Sequence, residues 1–330
     1  MPVRMRTPKA EFTVDYPEAV AFADQQAHHF WPHDEIKVHK DKQDIMVNMT
    51  EAERYGTIRL LRLFTKYEQI IGDEFWLNFV YRKFPRPADI QPMAAMFGAV
   101  ELQVHAKFYS KINEELGLAD DEFYRSYQDD AELLERIEFL QSTLYGKDDL
   151  RALGAFTFGE GAILYTSFAY LKHFQSSGKN KLLNLVSGIN FSARDENLHA
   201  EAAGWLFRTL LEESLEAGEI DEAYVEELTK DLYIAAETVY SHEQAIIKSL
   251  FSVGKIEGIT ELQLEYFAQS RINYCLQNLG LKSLYKVDYN PVADWFYKGI
   301  NGYQMQDFFS SQGNQYVRNW DKVGFKFNVS

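Results

Sequence analysis

An all-α fold, a bundle of roughly eight long helices, is what the 330-residue sequence predicts. Three observations carry that prediction. Apolar residues recur at helical rather than alternating spacing from NMTEAERYGTIRLLRLF to about residue 285. The 24 Phe and 20 Tyr follow the same rhythm, which suits long buried helices packed through their rings and disfavours barrels and sandwiches. The interruptions PRPAD, YGKDD, QSSGKNK and SVGKIEG are short and rich in turn formers, as connections between helices are.

Composition narrows the function classes. Lys and Arg total 34 against 49 Asp and Glu, a formal charge of −15 with no local basic patch, so a phosphate backbone is repelled and no nucleic-acid partner is expected. No apolar run approaches the ~18 residues of a membrane helix, and MPVRMRTPKAEF does not resemble a signal peptide. A soluble, unexported, cytoplasmic protein without a membrane partner is expected. Cys275, in the apolar context INYCLQNLG, reads as a buried bystander.

In chain order, residues 1–48 hold Pro2, Pro8, Pro17 and Pro32 with little periodicity and read as an irregular arm wrapping the body. Residues 1–289 form a single helical domain in this reading. Residues 290–330, polar and turn-rich after NPVADWF, form a flexible C-terminal tail. No tandem repeat stands out.

Charged residues sit where the helices are apolar. VELQVHAKFY puts Glu101, His105 and Tyr109 on one face, and FSARDENLHAEAAGWLF puts Glu196 and His199 three residues apart, about 60° around a helix. LGAFTFGEGAILYTSFAYLKHF is apolar nearly all round except Glu160, and TKYEQIIGDEFWLNFVYRKF sets Asp73 and Glu74 beside Phe75 and Trp76. Carboxylates in such surroundings need compensation. Four carboxylates and two histidines on four helices match the donor inventory with which a bundle holds two first-row metal ions.

Taken together, SARDENLH with its D-E-x-x-H order, the lone-glutamate helix FGEGAILYTSF, and His105 followed four residues later by Tyr109 resemble the radical-generating small subunit of class I ribonucleotide reductase, a ferritin-like di-metal carboxylate family. The resemblance spans about residues 28–318. It implies a ferritin-like bundle in which Asp73, Glu101 and His105 serve one metal, Glu160, Glu196 and His199 the other, with some carboxylates bridging. It also implies a tyrosyl radical at Tyr109 and, through HHFWPHDEIKV, an internal relay of Trp31, Asp195 and His105. DFFSSQGNQYVRNW implies Tyr316 as the relay residue at the interface with a large catalytic subunit, on which the tail docks through Phe325 and Phe327. A homodimer is implied as well, together with two metal ions, iron first and manganese second, and a flavoprotein activase as a further partner.

Two positions depart from the family pattern. Leu102 stands where the family has a glutamate, so either Glu101 takes over, with a π-bulge absorbing the extra residue, or the site lacks that ligand and Gln103 or water stands near. On the first ligand helix, Asp73 and Glu74 are both candidates. The expected activity is that of the radical-generating subunit of a ribonucleoside di- or triphosphate reductase. A ferritin-like di-metal oxidase or ligand-binding oxidase would keep the ligands but have no use for the relay residues, and a ferritin-like storage bundle would have no use for Tyr109.

Overall fold

The computed structural model describes residues 2–146, 148–176, 178–298 and 300, and within them it is helical with no strand. Helix α1 spans Pro17–His29 and α2 spans Glu51–Gln69, running on as a π-helix over Ile70–Val80. Helix α3 (Ile90–Val100) passes through a π-helical turn at Glu101–His105 into α4 (Ala106–Leu116). Then come α5 (Ala131–Leu144) and α6 (Asp149–Phe158), the latter joined through a π-turn at Gly159–Ile163 to α7 (Tyr165–Lys172). Helices α8 (Leu183–Ala217), α9 (Glu222–Leu250) and α10 (Glu261–Asn278) complete the body.

Local chemistry sets these boundaries. Thr50 with Glu53, and Thr260 with Gln263, form capping boxes that satisfy the first amides of α2 and α10. Asp148 and Asp221 cap α6 and α9. All four expected breaks are present. Two more occur where Gly117 (φ 72°) and Gly218 (φ 70°) end α4 and α8 in the left-handed region that favours glycine.

The arm is less irregular than its prolines suggest. Pro17 occupies the first turn of α1, where its missing N–H costs nothing, and α1 packs along α3. Further along the arm, the Asp41 carboxylate accepts from the Asn184 and Leu185 amides and so caps α8. The first residues of the expected 290–330 tail lie against the body. Residues 291–298 are helical, and Val292 and Phe296 are buried in the same core as the body, because an apolar face of that segment has somewhere to pack. Residues 301–330, with Tyr316, Phe325 and Phe327, lie outside the described residues.

Four helical runs surround the centre: α2, α3–α4, α6–α7 and α8. Gly72 and Gly98 let the first two approach closely, since a Cβ on Gly72 would stand 2.8 Å from Glu101 Cβ and 3.2 Å from Gly98 O. Between the runs lie fully buried rings, among them Phe64, Phe75, Trp76, Phe97, Phe108 and Phe156. Each contributes about 1.5–3 kcal/mol of burial, and together they keep water from the centre.

Candidate metal centre

At the middle of these four runs, two groups of potential ligands converge: Glu68, Glu101, His105 and Glu196, and Glu101, Glu160, Glu196 and His199. Within each group one donor atom per residue lies within 4.8 Å of the others, and every member is buried. Glu101 and Glu196 belong to both, which is where bridging carboxylates stand in a two-metal site.

Glu101 reaches inward because α3 loosens into a π-helical turn at Glu101–His105, absorbing the four-residue spacing. Glu101 Oε2 is 2.9 Å from His105 Nδ1 and its Oε1 is 2.6 Å from His199 Nδ1. Leu102 packs beside Gly72, while Gln103 is exposed and cannot substitute. Glu160 also sits on a π-turn, where it accepts the Trp76 indole N–H at 2.6 Å.

The first-helix ligand differs from expectation. Asp73 is exposed and accepts from Asn78 Nδ2 at 3.1 Å, and Glu74 bonds Gln141 and Tyr145 at the periphery. Glu68, fully buried, occupies the place expected for Asp73, its carboxylate 3.9 Å from His105 Nδ1. The buried stripe Leu61, Phe64, Glu68, Ile71, Phe75 advances by threes and fours, and Asp73, five residues beyond Glu68, lies about 140° off that line on an α-helix. That stripe was the signal in the sequence that pointed to Glu68.

The imidazoles are oriented from behind. His105 Nε2 faces Asp195 Oδ2 at 3.3 Å, and His199 Nε2 faces Gln26 Oε1 at 3.0 Å. Both of those partners only accept, so each Nε2 carries hydrogen and each Nδ1 turns toward the carboxylates. Sequence reasoning missed Gln26, which α1 brings in from the arm.

Electrostatics makes the cluster expensive without a cation. Burial, reinforced by the charges of Glu101 and Glu196, pushes the Glu68 carboxyl well above the usual range; burial with the same two charges does this to Glu160. Burial works against a charge on His199, but Glu101 and Glu196 outweigh it and raise that imidazole to about 9. Both oxygens of Glu68 and of Glu196, Glu101 Oε1 and His199 Nδ1 have no hydrogen-bond partner. Glu101 Oε1 and His199 Nδ1 converge to 2.6 Å without forming a hydrogen bond. Oxygen and imidazole donors aimed at common points fit a pair of first-row metal ions.

Tyr109 is fully buried on α4, donating its hydroxyl hydrogen to Ser192 Oγ at 3.2 Å, with the Phe64 and Phe108 rings 4.6 and 4.9 Å away. Burial, then the charge of Glu68, holds its hydroxyl protonated far above the ordinary tyrosine range. Trp31, also buried, donates Nε1–H to Asp195 Oδ2 at 2.9 Å and stacks on His105 with ring centroids 5.8 Å apart. Trp31, Asp195 and His105 therefore form one continuous contact chain. Tyr316 lies outside the described residues. Cys275 is buried, and burial raises its thiol to about 12, which fits an inert bystander. Among the described residues no helix is long and apolar enough to cross a membrane.

Comparison with known proteins places the chain in a family. The family described as "Ribonucleotide reductase, small chain" matches residues 10–291. The chain is 26% identical, over 92% of its length and 83% of the relative's, to "Probable ribonucleoside-diphosphate reductase small subunit 048L" of Invertebrate iridescent virus 3. It is 25% identical to ribonucleoside-diphosphate reductase subunit beta nrdF2 of Mycobacterium tuberculosis, over 89% of this chain and 87% of that one. The crystal structure of dimanganese(II)-NrdF from Streptococcus sanguinis superposes with a TM-score of 0.74 at 22% identity, covering 89% of this chain and 99% of that chain, and shares its fold.

Proposed function

The chain belongs to the small-chain family of ribonucleotide reductase, and from that premise we propose that its buried cluster is a di-metal site serving a radical on Tyr109. Glu68, Glu101, His105 and Glu196 would hold one ion, and Glu101, Glu160, Glu196 and His199 the other. The observation that carries this reading is the sharing of Glu101 and Glu196 between two buried four-residue groups in which both oxygens of Glu68 and Glu196, Glu101 Oε1 and His199 Nδ1 lack hydrogen bonds. When bound, two such ions supply, with O2 or a more reactive oxidant, the oxidising power to take one electron from Tyr109.

The chain's own residues govern how the tyrosine gives up that electron and how its radical survives. Because Tyr109 is held protonated, its hydroxyl proton has to leave with the electron, and the bond to Ser192 Oγ fixes the direction of that hydrogen beforehand. Phe64 and Phe108 keep water from the phenoxyl oxygen and so protect the radical. Trp31, bonded through Asp195 to His105, gives the oxidising equivalent a contact path toward the surface. The radical is then passed to a large catalytic subunit that reduces ribonucleotides, with the part of the tail beyond residue 300 docking there and Tyr316 carrying the last step on this chain. A homodimer of this chain is part of the same reading.

Iron is the metal we assign first. Carboxylate and imidazole donors accept manganese equally, and the dimanganese state of the Streptococcus sanguinis relative supports it as the second choice, with a flavoprotein activase then providing the oxidant. The test loads the protein anaerobically with Fe(II), admits O2, and records electron paramagnetic resonance spectra for wild type and Tyr109→Phe. A tyrosyl signal that the variant lacks is expected. The same signal persisting in Tyr109→Phe would place the radical elsewhere.

A further inference from the structure

Two buried arginines from neighbouring helices donate to backbone carbonyls of the π-turn Gly159–Ile163 that carries Glu160. Arg136 of α5 donates Nη2–H to Ile163 O at 3.1 Å, and Arg271 of α10 donates Nε–H to Gly161 O at 2.8 Å. Their remaining contacts differ in kind. Arg136 pairs with Glu243, fully buried in the body. Arg271 reaches outward, donating Nη1–H to the Tyr297 hydroxyl at 3.0 Å and Nη2–H to Asn197 Oδ1 at 3.1 Å.

Both inner contacts of Arg271 concern the second metal group. Gly161 is next to Glu160 in the chain, and Asn197 is next to Glu196. The guanidinium has little room to move: its carbon lies 3.6 Å from the Tyr165 ring centroid and 4.3 Å from that of Tyr274. The turn itself is pressed against α10, since a Cβ on Gly161 would stand 2.5 Å from Cys275 Sγ. A shift of Arg271 therefore moves the backbone on which Glu160 hangs.

The outer contact belongs to the segment 291–298, the last part of the chain before residues 301–330. That segment is seated by Phe296, fully buried against Phe267 and Tyr165 with centroids 4.8 and 5.8 Å away. Lys172, at the end of α7, donates Nζ–H to Phe296 O at 2.7 Å and lies 4.0 Å from the Phe296 ring centroid. The run that starts with Glu160 in its π-turn thus ends in a buried cation holding the same segment that Arg271 holds through Tyr297.

We propose that Arg271 is a positioning residue coupling the seating of residues 291–298, through Tyr297, to the π-turn that places Glu160, so that the Glu101/Glu160/Glu196/His199 metal site responds to the C-terminal segment. This rests on the di-metal reading above. Loss of the Tyr297 hydroxyl frees one guanidinium N–H, and loss of the guanidinium frees Gly161 O and leaves Asn197 Oδ1 with only the Tyr165 hydroxyl, at 3.4 Å. The Glu68/Glu101/His105/Glu196 group meets these contacts only through the shared Glu196, beside Asn197, whereas Glu160 belongs to the other group alone, so the loss falls on the second ion.

The test titrates the metal-free full-length chain with Mn(II), reading bound ions per chain and the exchange-coupled pair signal by electron paramagnetic resonance. Wild type is compared with Tyr297→Phe, which removes a single oxygen, and with Arg271→Met and Arg271→Lys. Expected are two ions in wild type and a second ion bound about tenfold more weakly in Tyr297→Phe, the lower end of what outer contacts of metal ligands contribute. Arg271→Met should retain one tightly bound ion and lose the coupled signal, with partial recovery in Arg271→Lys. Two ions of unchanged affinity and spectrum in a folded Tyr297→Phe protein would overturn the coupling alone. Fewer than two ions in wild type would overturn the di-metal reading, and the coupling with it.

Discussion

Glu68 reaches the centre of the bundle with neither carboxylate oxygen hydrogen-bonded, in a position where burial and two neighbouring carboxylates oppose its charge. Such a group is tolerated when a cation lies within reach. Glu68→Gln should therefore reduce the bound metal from two ions per chain toward one, by elemental analysis, while Asp73→Asn leaves the count unchanged. Equal losses in both variants would return Asp73 to the site. The other residues of the cluster were legible one by one as candidates, because an acid or imidazole inside an apolar run has few structural uses. Glu68 was harder to see: Asp73 and Glu74 stood beside the conspicuous Phe75–Trp76 pair, and only the stripe through Leu61, Phe64 and Ile71 shows which acid faces inward. Gln26 and Ser192 were missed because a polar residue that bonds His199 or Tyr109 from behind has no spacing rule of its own.

At the scale of elements, the ligands are presented by helices that depart from regular α-geometry. Three of the four central runs carry π-helical stretches at or just after a ligand: Ile70–Val80, Glu101–His105 and Gly159–Ile163. The first two meet where Gly72 touches the Glu101 turn, and a methyl there would stand 2.9 Å from Leu102 Cγ as well as against Glu101 Cβ. Gly72→Ala should destabilise the fold by about 1–3 kcal/mol through overpacking, and weaken metal binding along with it. Denaturant unfolding of the metal-free protein checks the first effect and Mn(II) titration the second; a variant as stable and as tightly loaded as wild type would show that the close approach is not needed. The π-turn at Glu101 was open as an alternative in the sequence, since the four-residue spacing demanded either a bulge or a missing ligand. The helix inside the N-terminal arm was hidden because Pro17 reads as a breaker when it is a starter.

Across the whole molecule, the connection at residues 178–182 is tied to the start of α2 by charge. Lys179 and Lys181 reach the Glu53 carboxylate at 3.1 and 2.8 Å while Glu53 also closes the capping box with Thr50. Burial raises the Glu53 carboxyl, but the bonds from Lys181, the Thr50 amide and Lys179 outweigh it and bring its pKa from 4.5 to about 2. A lowered carboxyl contributes stability that is complete above the unfolded value of 4.5 and is lost as pH falls toward 2. Glu53→Gln keeps the capping hydrogen bond and drops the charge. The melting temperature of metal-free wild type should exceed that of the variant at pH 6 and converge with it in acid; a pH-independent gap would contradict the ion-pair account. The four-run bundle and its ligand helices could be read from periodicity, whereas this tie, spanning more than 120 residues, could not, because lysines in a polar loop carry no record of the partner they fold against.

The central claim is that two metal ions sit between named residues. Anomalous X-ray scattering from crystals loaded separately with Fe(II) and Mn(II) tests it most directly. The account predicts two peaks, one among Glu68, Glu101, His105 and Glu196 and the other among Glu101, Glu160, Glu196 and His199. A single peak, or one lying beside Asp73, would contradict it.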